Sequence, residues 1–226
     1  HQLYTTLLPE SLPHGTMLEQ VVKWFIVLFV VTEPISLVPV FGALTRGGAP
    51  GYRRRMAYKA TVLSGLIFLG FALVGGWLLD MLDISVDAFK IGGGLLLHML
   101  SIDMVFARQS GLRSTTVREQ DEARYRQDIS VFPLAFPLIA GPGALATLLL
   151  VMGEVQGDPW RFLALLGVLF LILGITLIFM LLTTPLMNVM GVTGANVASR
   201  LLGVVLVALA IQYMVDGIRC SFFMNC

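Results

Sequence analysis

In "VTEPISLVPV", residues 31–40, a carboxylate stands inside an apolar run, is followed at once by proline, and has a second proline five residues further on. A lone ionised side chain at the centre of a bilayer costs at least about 2.5 kcal/mol, so Glu33 must face a cavity or a partner, and residues of this kind mark pathways. Two compatible chemistries are open to it. It can take up and release a proton as burial shifts its ionisation, or, standing just before a helix-starting proline, it can hold the free amides of a half-helix that begins at Pro34. Ser36 adds a hydroxyl one turn on.

A second stretch, "PLIAGPGALAT", residues 137–147, has no charge but has the same kind of backbone. Pro34 and Pro39 each remove a helical hydrogen bond, and Pro133, Pro137 and Pro142 do so here. Gly141 and Gly143 flank Pro142 and reach conformations closed to other residues. In hydrocarbon every backbone amide and carbonyl needs an internal partner, so irregular backbone survives only inside protein or beside a water-filled cavity. Paired interruptions in two halves of a transporter put half-helix N-termini where anionic groups bind and freed carbonyls where cations bind. The plainer alternative is that the prolines only kink their helices. Thr147 is a further candidate polar contact.

Other ionisable groups have two readings each. His98 can pair with Glu33 or relay a proton, or it can be a buried neutral ring bonded to a carbonyl. Lys90 and Arg200 can snorkel to the headgroups, or each can reach the broken helix of its own half and close a gate, with Asp103 and Asp216 as partners. Gln212 is another candidate polar contact. The glycines at 75–76 and 92–94 suit close helix packing. No metal-ligand pattern, nucleotide fingerprint or catalytic pair appears, so no cofactor and no enzymatic activity is expected.

The elements that must position these groups follow from composition. The chain has 226 residues, 57% hydrophobic and 13% charged, with a mean hydropathy of +0.85, which excludes an ordinary soluble domain. A spanning helix needs roughly 20 apolar residues, and six windows qualify, near 17–44, 60–79, 86–107, 129–153, 162–187 and 197–218. The expectation is an all-α integral membrane protein forming one bundle over residues 1–226. The loops after the first and third spans are rich in Arg and Lys, whereas those after the second and fourth are acidic. Basic loops stay on the cytoplasmic side, which places both termini outside. Residues 1–15 lack the basic start of a cleavable signal, so the first span reads as retained. Cys220 and Cys226 lie in a short tail, as a disulfide or as residues without a structural role.

An internal repeat organises the spans. "PISLVPVFGALT" from Pro34 aligns on "PLIAGPGALATL" from Pro137, and "AFKIGGGLLL" from Ala88 on "ASRLLGVVLV" from Ala198, matching Lys90 with Arg200. A three-helix unit crosses an odd number of times, so the second copy is inverted. The expected plan is therefore two inverted three-helix repeats, about 17–107 and 129–219, joined by a basic loop at about 108–128, with helices one and four broken near the midplane.

The segments "EPISLVPVF", "FKIGGGLLL", "PLAFPLIAGPGALAT" and "GVVLVALAIQYMVDGI" together resemble the MarC family of bacterial inner-membrane proteins, which includes the SnatA-type neutral amino-acid transporters. The likeness covers nearly the whole bundle. Glu33 stands where that family usually has Asp, Ser36 where it has Gly, and Lys90 where it has Arg. The resemblance implies six spans, both termini in the periplasm, a distant relation to LysE-type exporters, and transport of small neutral amino acids such as glycine and alanine.

The functional expectation is a secondary transporter working by alternating access. Substrate contacts would come from Glu33, Pro34, Ser36, Pro39, Pro137, Gly141, Pro142, Gly143 and Thr147, and coupling to a proton or monovalent cation from Glu33, Lys90, His98, Asp103, Arg200, Gln212 and Asp216. Its surroundings would be lipid, with no nucleic acid, and an oligomer is compatible. The alternatives are an exporter of drugs or metabolic intermediates, and a membrane scaffold or sensor that transports nothing.

Overall fold

A computed structural model describes residues 16–106, 128–155 and 157–223. The expected basic loop at 108–128, apart from Asp128, and the tail residue Cys226 lie outside that set; Cys220 is disulfide-bonded.

The first span divides into α1 (Met17–Thr32) and α2 (Pro34–Leu44). Thr16 starts α1 with a reciprocal capping box. Its hydroxyl accepts the Glu19 amide, while the Glu19 carboxylate accepts the Thr16 amide at 3.1 Å, so two orphan donors are satisfied together. Glu33 ends it in the left-handed region (φ 46, ψ 64), and Pro34 starts α2. The expected break is therefore real but narrower than 34–39. Pro39 is carried inside α2, where it costs the Ile35 carbonyl its helical donor without ending the helix.

α3 (Tyr52–Met81) and α4 (Val86–Phe106) complete the first half. Ser85 opens α4 by accepting the Ala88 amide at 3.1 Å. The fourth span is broken more severely than the first. Residues Ser130–Ile139 form wide turns in which Leu134 donates to Ile129 O and Ala140 to Ala135 O, five residues back. Phe132 and Phe136 are extended, each before a proline in a cis peptide, as expected where the proline ring disfavours helical backbone in the residue before it. α5 (Pro142–Val155) then leaves at 55°.

α6 (Pro159–Leu181) is capped by Asp158, whose carboxylate accepts the Trp160 and Arg161 amides. α7 (Thr183–Phe223) turns at Gly191 (φ 60, ψ −174). The fifth span thus stops at Leu181 and not at 187. Pro185 has no amide to offer the Leu181 carbonyl, so the helix restarts at Thr183. Among the described residues, five helical stretches are long and apolar enough to cross a membrane, and six spans result if Ser130–Ile139 and Pro142–Val155 count as one. One end of the bundle is acidic, with Asp80, Asp83, Asp87, Glu154 and Asp158; the other is basic, with Arg46, Arg53, Arg54, Arg55 and Lys59.

α4 and α7 pack antiparallel through glycine. A Cβ on Gly94 would lie 2.9 Å from the Ala210 carbonyl oxygen, one on Gly203 would lie 2.8 Å from Met104 Cβ, and one on Gly217 would lie 2.7 Å from Asp87 O. As one helix rises the other falls, and small residues let the backbones touch where lipid offers no hydrophobic drive. The glycine-packing expectation holds for Gly93 and Gly94, whereas Gly92 faces open space. Gly94→Ala should destabilise the folded protein by roughly 1–3 kcal/mol, because a carbonyl oxygen cannot move aside as a side chain can. Thermal unfolding in detergent measures it, with Gly92→Ala as the neutral comparison.

Candidate functional site

Both breaks lie between packed helices. Glu33 is completely buried, and Thr32 beside it is 4% exposed. The Glu33 amide donates to Phe29 O at 2.8 Å, and its carboxylate accepts the Ser36 hydroxyl. The carboxylate does not cap α2, which corrects the capping role. In the left-handed conformation the side chain leaves the helix axis, and Ser36, one turn on, meets it instead.

At the second break the chain doubles back. A Cβ on Gly141 would sit 2.4 Å from Pro137 O. Leu145 donates to Gly141 O at 3.0 Å, which starts α5. Pro142 has no amide, so the first orphan donors of α5 are Gly143 and Ala144. A Cβ on Gly143 would lie 2.7 Å from Leu100 Cδ2 and 3.5 Å from Val31 Cγ1. The end of α1, the middle of α4 and the start of α5 therefore converge on Gly143.

Between them is a pocket of about 10 Å³, lined by Val31, Leu100, Pro137, Leu138, Ile139, Gly141, Gly143 and Ala144. That is space for about one water molecule. Its polar surface is backbone and its side chains are small or aliphatic. Of the expected contacts, Pro137, Gly141 and Gly143 line it, and Pro142 joins them in the chain. Thr147 donates its hydroxyl proton to Gly143 O at 2.9 Å, within its own helix. Val31, Leu100 and Ala144 were not expected, since an aliphatic residue in a membrane span has the same sequence signal whether it faces lipid or a cavity.

None of the expected coupling residues is among those that line this pocket. Lys90 pairs with Asp87 at 3.0 Å, one turn away on α4, and so holds neither broken helix. Arg200 is exposed and makes no ion pair among the described residues. Gln212 donates to Asp216 at 2.7 Å on the surface of α7. Asp103 is half-buried near the end of α4. His98 lies two residues from Leu100, and its Nδ1 is buried with no hydrogen-bond partner among the described residues. For Lys90 and Gln212 the local helix partner is nearer than any tertiary one.

The structure adds polar contacts at both ends. At the acidic end Glu154 on α5 accepts Lys23 Nζ at 3.1 Å and Trp24 Nε1 at 3.0 Å from α1. At the basic end Arg53 donates to Thr45 at 3.2 Å and Thr184 at 2.7 Å. There Lys59 holds Asp128 at 2.5 Å, and Ser130 donates to the same carboxylate through amide and hydroxyl. These contacts hold the Asp128 carboxyl well below the usual range, the Lys59 hydrogen bond most of all. A carboxyl depressed in the folded state adds stability above its unfolded pKa, near 3.9, and loses it only as pH falls through the lower folded value. The contact that anchors the wide-turn segment is thus constant at neutral pH. No cluster suited to a metal ion occurs among the described residues.

The sequence matches a known family. A model described as MarC family integral membrane protein matches residues 18–222. The chain is 38% identical to a UPF0056 membrane protein of Methanocaldococcus jannaschii, over 85% of this chain and 92% of that one. It is 31% identical to the UPF0056 membrane protein YvbG of Bacillus subtilis, over 91% and 97%, and 34% identical to a UPF0056 membrane protein of Pyrococcus abyssi, over 90% and 98%. No solved structure matches the chain. With a match that spans nearly every described helix and the broken fourth span inside it, the chain belongs to the MarC family of integral membrane proteins.

Proposed function

We propose that the protein is a secondary transporter of small neutral amino acids, of the glycine and alanine type, across a bacterial inner membrane. One observation carries this reading. Two spans from different halves of the chain are interrupted, and Val31 beside one break shares a pocket with Gly141, Gly143 and Ala144 at the other. Broken spans are costly in lipid and persist where they serve a site. The amides at the start of α5 suit a carboxylate, and carbonyls left without donors beside Pro34 and Pro39 suit an ammonium. Val31, Leu100, Ile139 and Ala144 leave room only for a small apolar side chain. A pathway for bulky drugs would favour aromatic walls, and no lining residue is aromatic.

The antiparallel α4 and α7 are the arrangement that two inverted repeats require, and the repeats would move against each other to alternate access. The basic end would face the cytoplasm and both termini the periplasm. Glu33 would carry a coupling proton or balance the charge of the substrate.

Uptake of labelled glycine and alanine into proteoliposomes with an imposed pH gradient tests the reading, with leucine as the larger comparison. Saturable uptake of the small pair that follows the gradient is expected. Leu100→Ala, which removes the pocket's largest movable wall, should bring leucine uptake up toward that of alanine. A correctly inserted protein that moves neither small amino acid would overturn the substrate class.

A further inference from the structure

The acidic end of the bundle holds a cluster that the midplane pocket does not use. Glu154, near the end of α5, bonds Lys23 and Trp24 of α1 through its two oxygens. At 1.5 Å per residue the cluster stands about 10 Å beyond Val31 along α1 and about 16 Å beyond Gly143 along α5. It therefore ties together the two half-helices that converge on the pocket, on one side of it only.

The two bonds are unequal. Lys23 is 53% exposed, and an ion pair so wet contributes little. Trp24 is 1% exposed, so its indole bond to a carboxylate is the stronger hold. On α7, Tyr213 is 5% exposed. Leu150 of α5 packs on Gly93 and Met214 of α7 on the adjacent Gly94, which sets Tyr213 and Glu154 within about one helical turn of each other in height. The Tyr213 hydroxyl is buried with no hydrogen-bond partner among the described residues. A buried donor left unmade is expensive, and native proteins seldom keep one without a use. Glu154 is the acceptor that would satisfy it, at the cost of releasing α1.

We propose that Lys23, Trp24 and Glu154 form the latch of a gate over the pocket at the acidic end, and that Tyr213 receives the Glu154 carboxylate when the latch opens. The proposal rests on the transport reading above. Closed, Glu154 holds α1; open, it holds α7, and the outer half of α5 moves away from α1. Each arrangement leaves one buried donor unsatisfied, Tyr213 in the first and Trp24 in the second, while the half-exposed Lys23 passes to water. The two states are thereby kept close in energy, as a gate driven by a small solute needs.

The test is the rate at which a membrane-impermeant maleimide labels Ala144→Cys in proteoliposomes, from each side, against the same protein without that cysteine. Lys23→Met and Trp24→Phe should each raise labelling from the acidic side, Trp24→Phe by about tenfold as expected for a hydrogen bond to a charged group. Tyr213→Phe, which removes the second donor, should lower it below the unsubstituted rate. Half-exposed Lys23 can be replaced without loss of packing, so the latch remains testable if Trp24→Phe fails to fold. Unchanged labelling from the acidic side in every variant, with the introduced thiol still reactive from the basic side, would overturn the gate and leave the transporter reading in place. No labelling from either side in any variant would remove the water-accessible site, and both would fall.

Discussion

Glu33→Gln is expected to cut gradient-driven uptake by at least about tenfold while leaving the folded protein intact. The carboxylate is fully buried at the first break and accepts the Ser36 hydroxyl. A hydrogen bond to a charged group contributes roughly 1.5–3 kcal/mol, and a factor of ten corresponds to the lower end of that range. The amide keeps the size and a carbonyl acceptor for Ser36 but can neither ionise nor carry a proton. Glu33→Gly separates structural from functional roles. The left-handed backbone at Glu33 costs a side-chain-bearing residue roughly 1–2 kcal/mol, which glycine is spared. If the carboxylate were there for the fold, Gly would lower thermal stability by more than about 2 kcal/mol. Strain relief offsets much of the lost Ser36 hydrogen bond, so the expected outcome is a thermal stability in detergent lowered by no more than about 2 kcal/mol, with uptake lost. Residues kept in a strained conformation that a simpler residue would relieve are characteristic of sites under functional demand.

Gly143→Val should abolish uptake of every solute. Its Cβ alone would come within 2.7 Å of Leu100 and 3.5 Å of Val31, and its two methyl groups would fill a pocket of about 10 Å³. The stability cost of such overpacking is about 1–3 kcal/mol. Because the closest neighbour is the tip of the Leu100 side chain, Leu100→Ala should restore both stability and part of the uptake when combined with Gly143→Val. Two residues sharing one cavity are expected to be non-additive by about 0.5 kcal/mol or more, and a cycle of unfolding and uptake measurements on the four proteins reads the coupling directly. Additive losses would place Leu100 and Gly143 in separate roles.

Local chemistry made some of this legible in the amino-acid sequence. The spans follow from apolar length, and both interruptions from proline and glycine where lipid tolerates neither without support. The extended Phe132 and Phe136 follow from the rule that proline restricts the residue before it. The left-handed turn at Glu33 does not, because that conformation ordinarily belongs to glycine. The boundary between α6 and α7 is hidden because hydropathy runs unbroken from Phe162 to Met187, and only Pro185 betrays the restart. Lys90 reads as a gate residue on symmetry alone, and its nearest acid proves to be Asp87, one turn away. Glu154 reads as a loop acid, and nothing in the sequence singles out Lys23. Their meeting depends on how far α1 slides against α5, a register that no single helix records. Leu100 and Val31 are hidden for the same reason, since position in the bundle and not residue type makes them walls.

On the transport reading, the two breaks flank a midplane site that water reaches from each side in turn. The most direct measurement is maleimide labelling of Ser36→Cys in oriented proteoliposomes, from each side separately, with and without glycine. Reaction from both sides, with glycine slowing each, is expected of a site that alternates its access beside Glu33. A cysteine there that reacts from neither side, in a protein shown to be folded and inserted, would rule out such a site and leave the broken helices as packing features of a membrane protein that transports nothing.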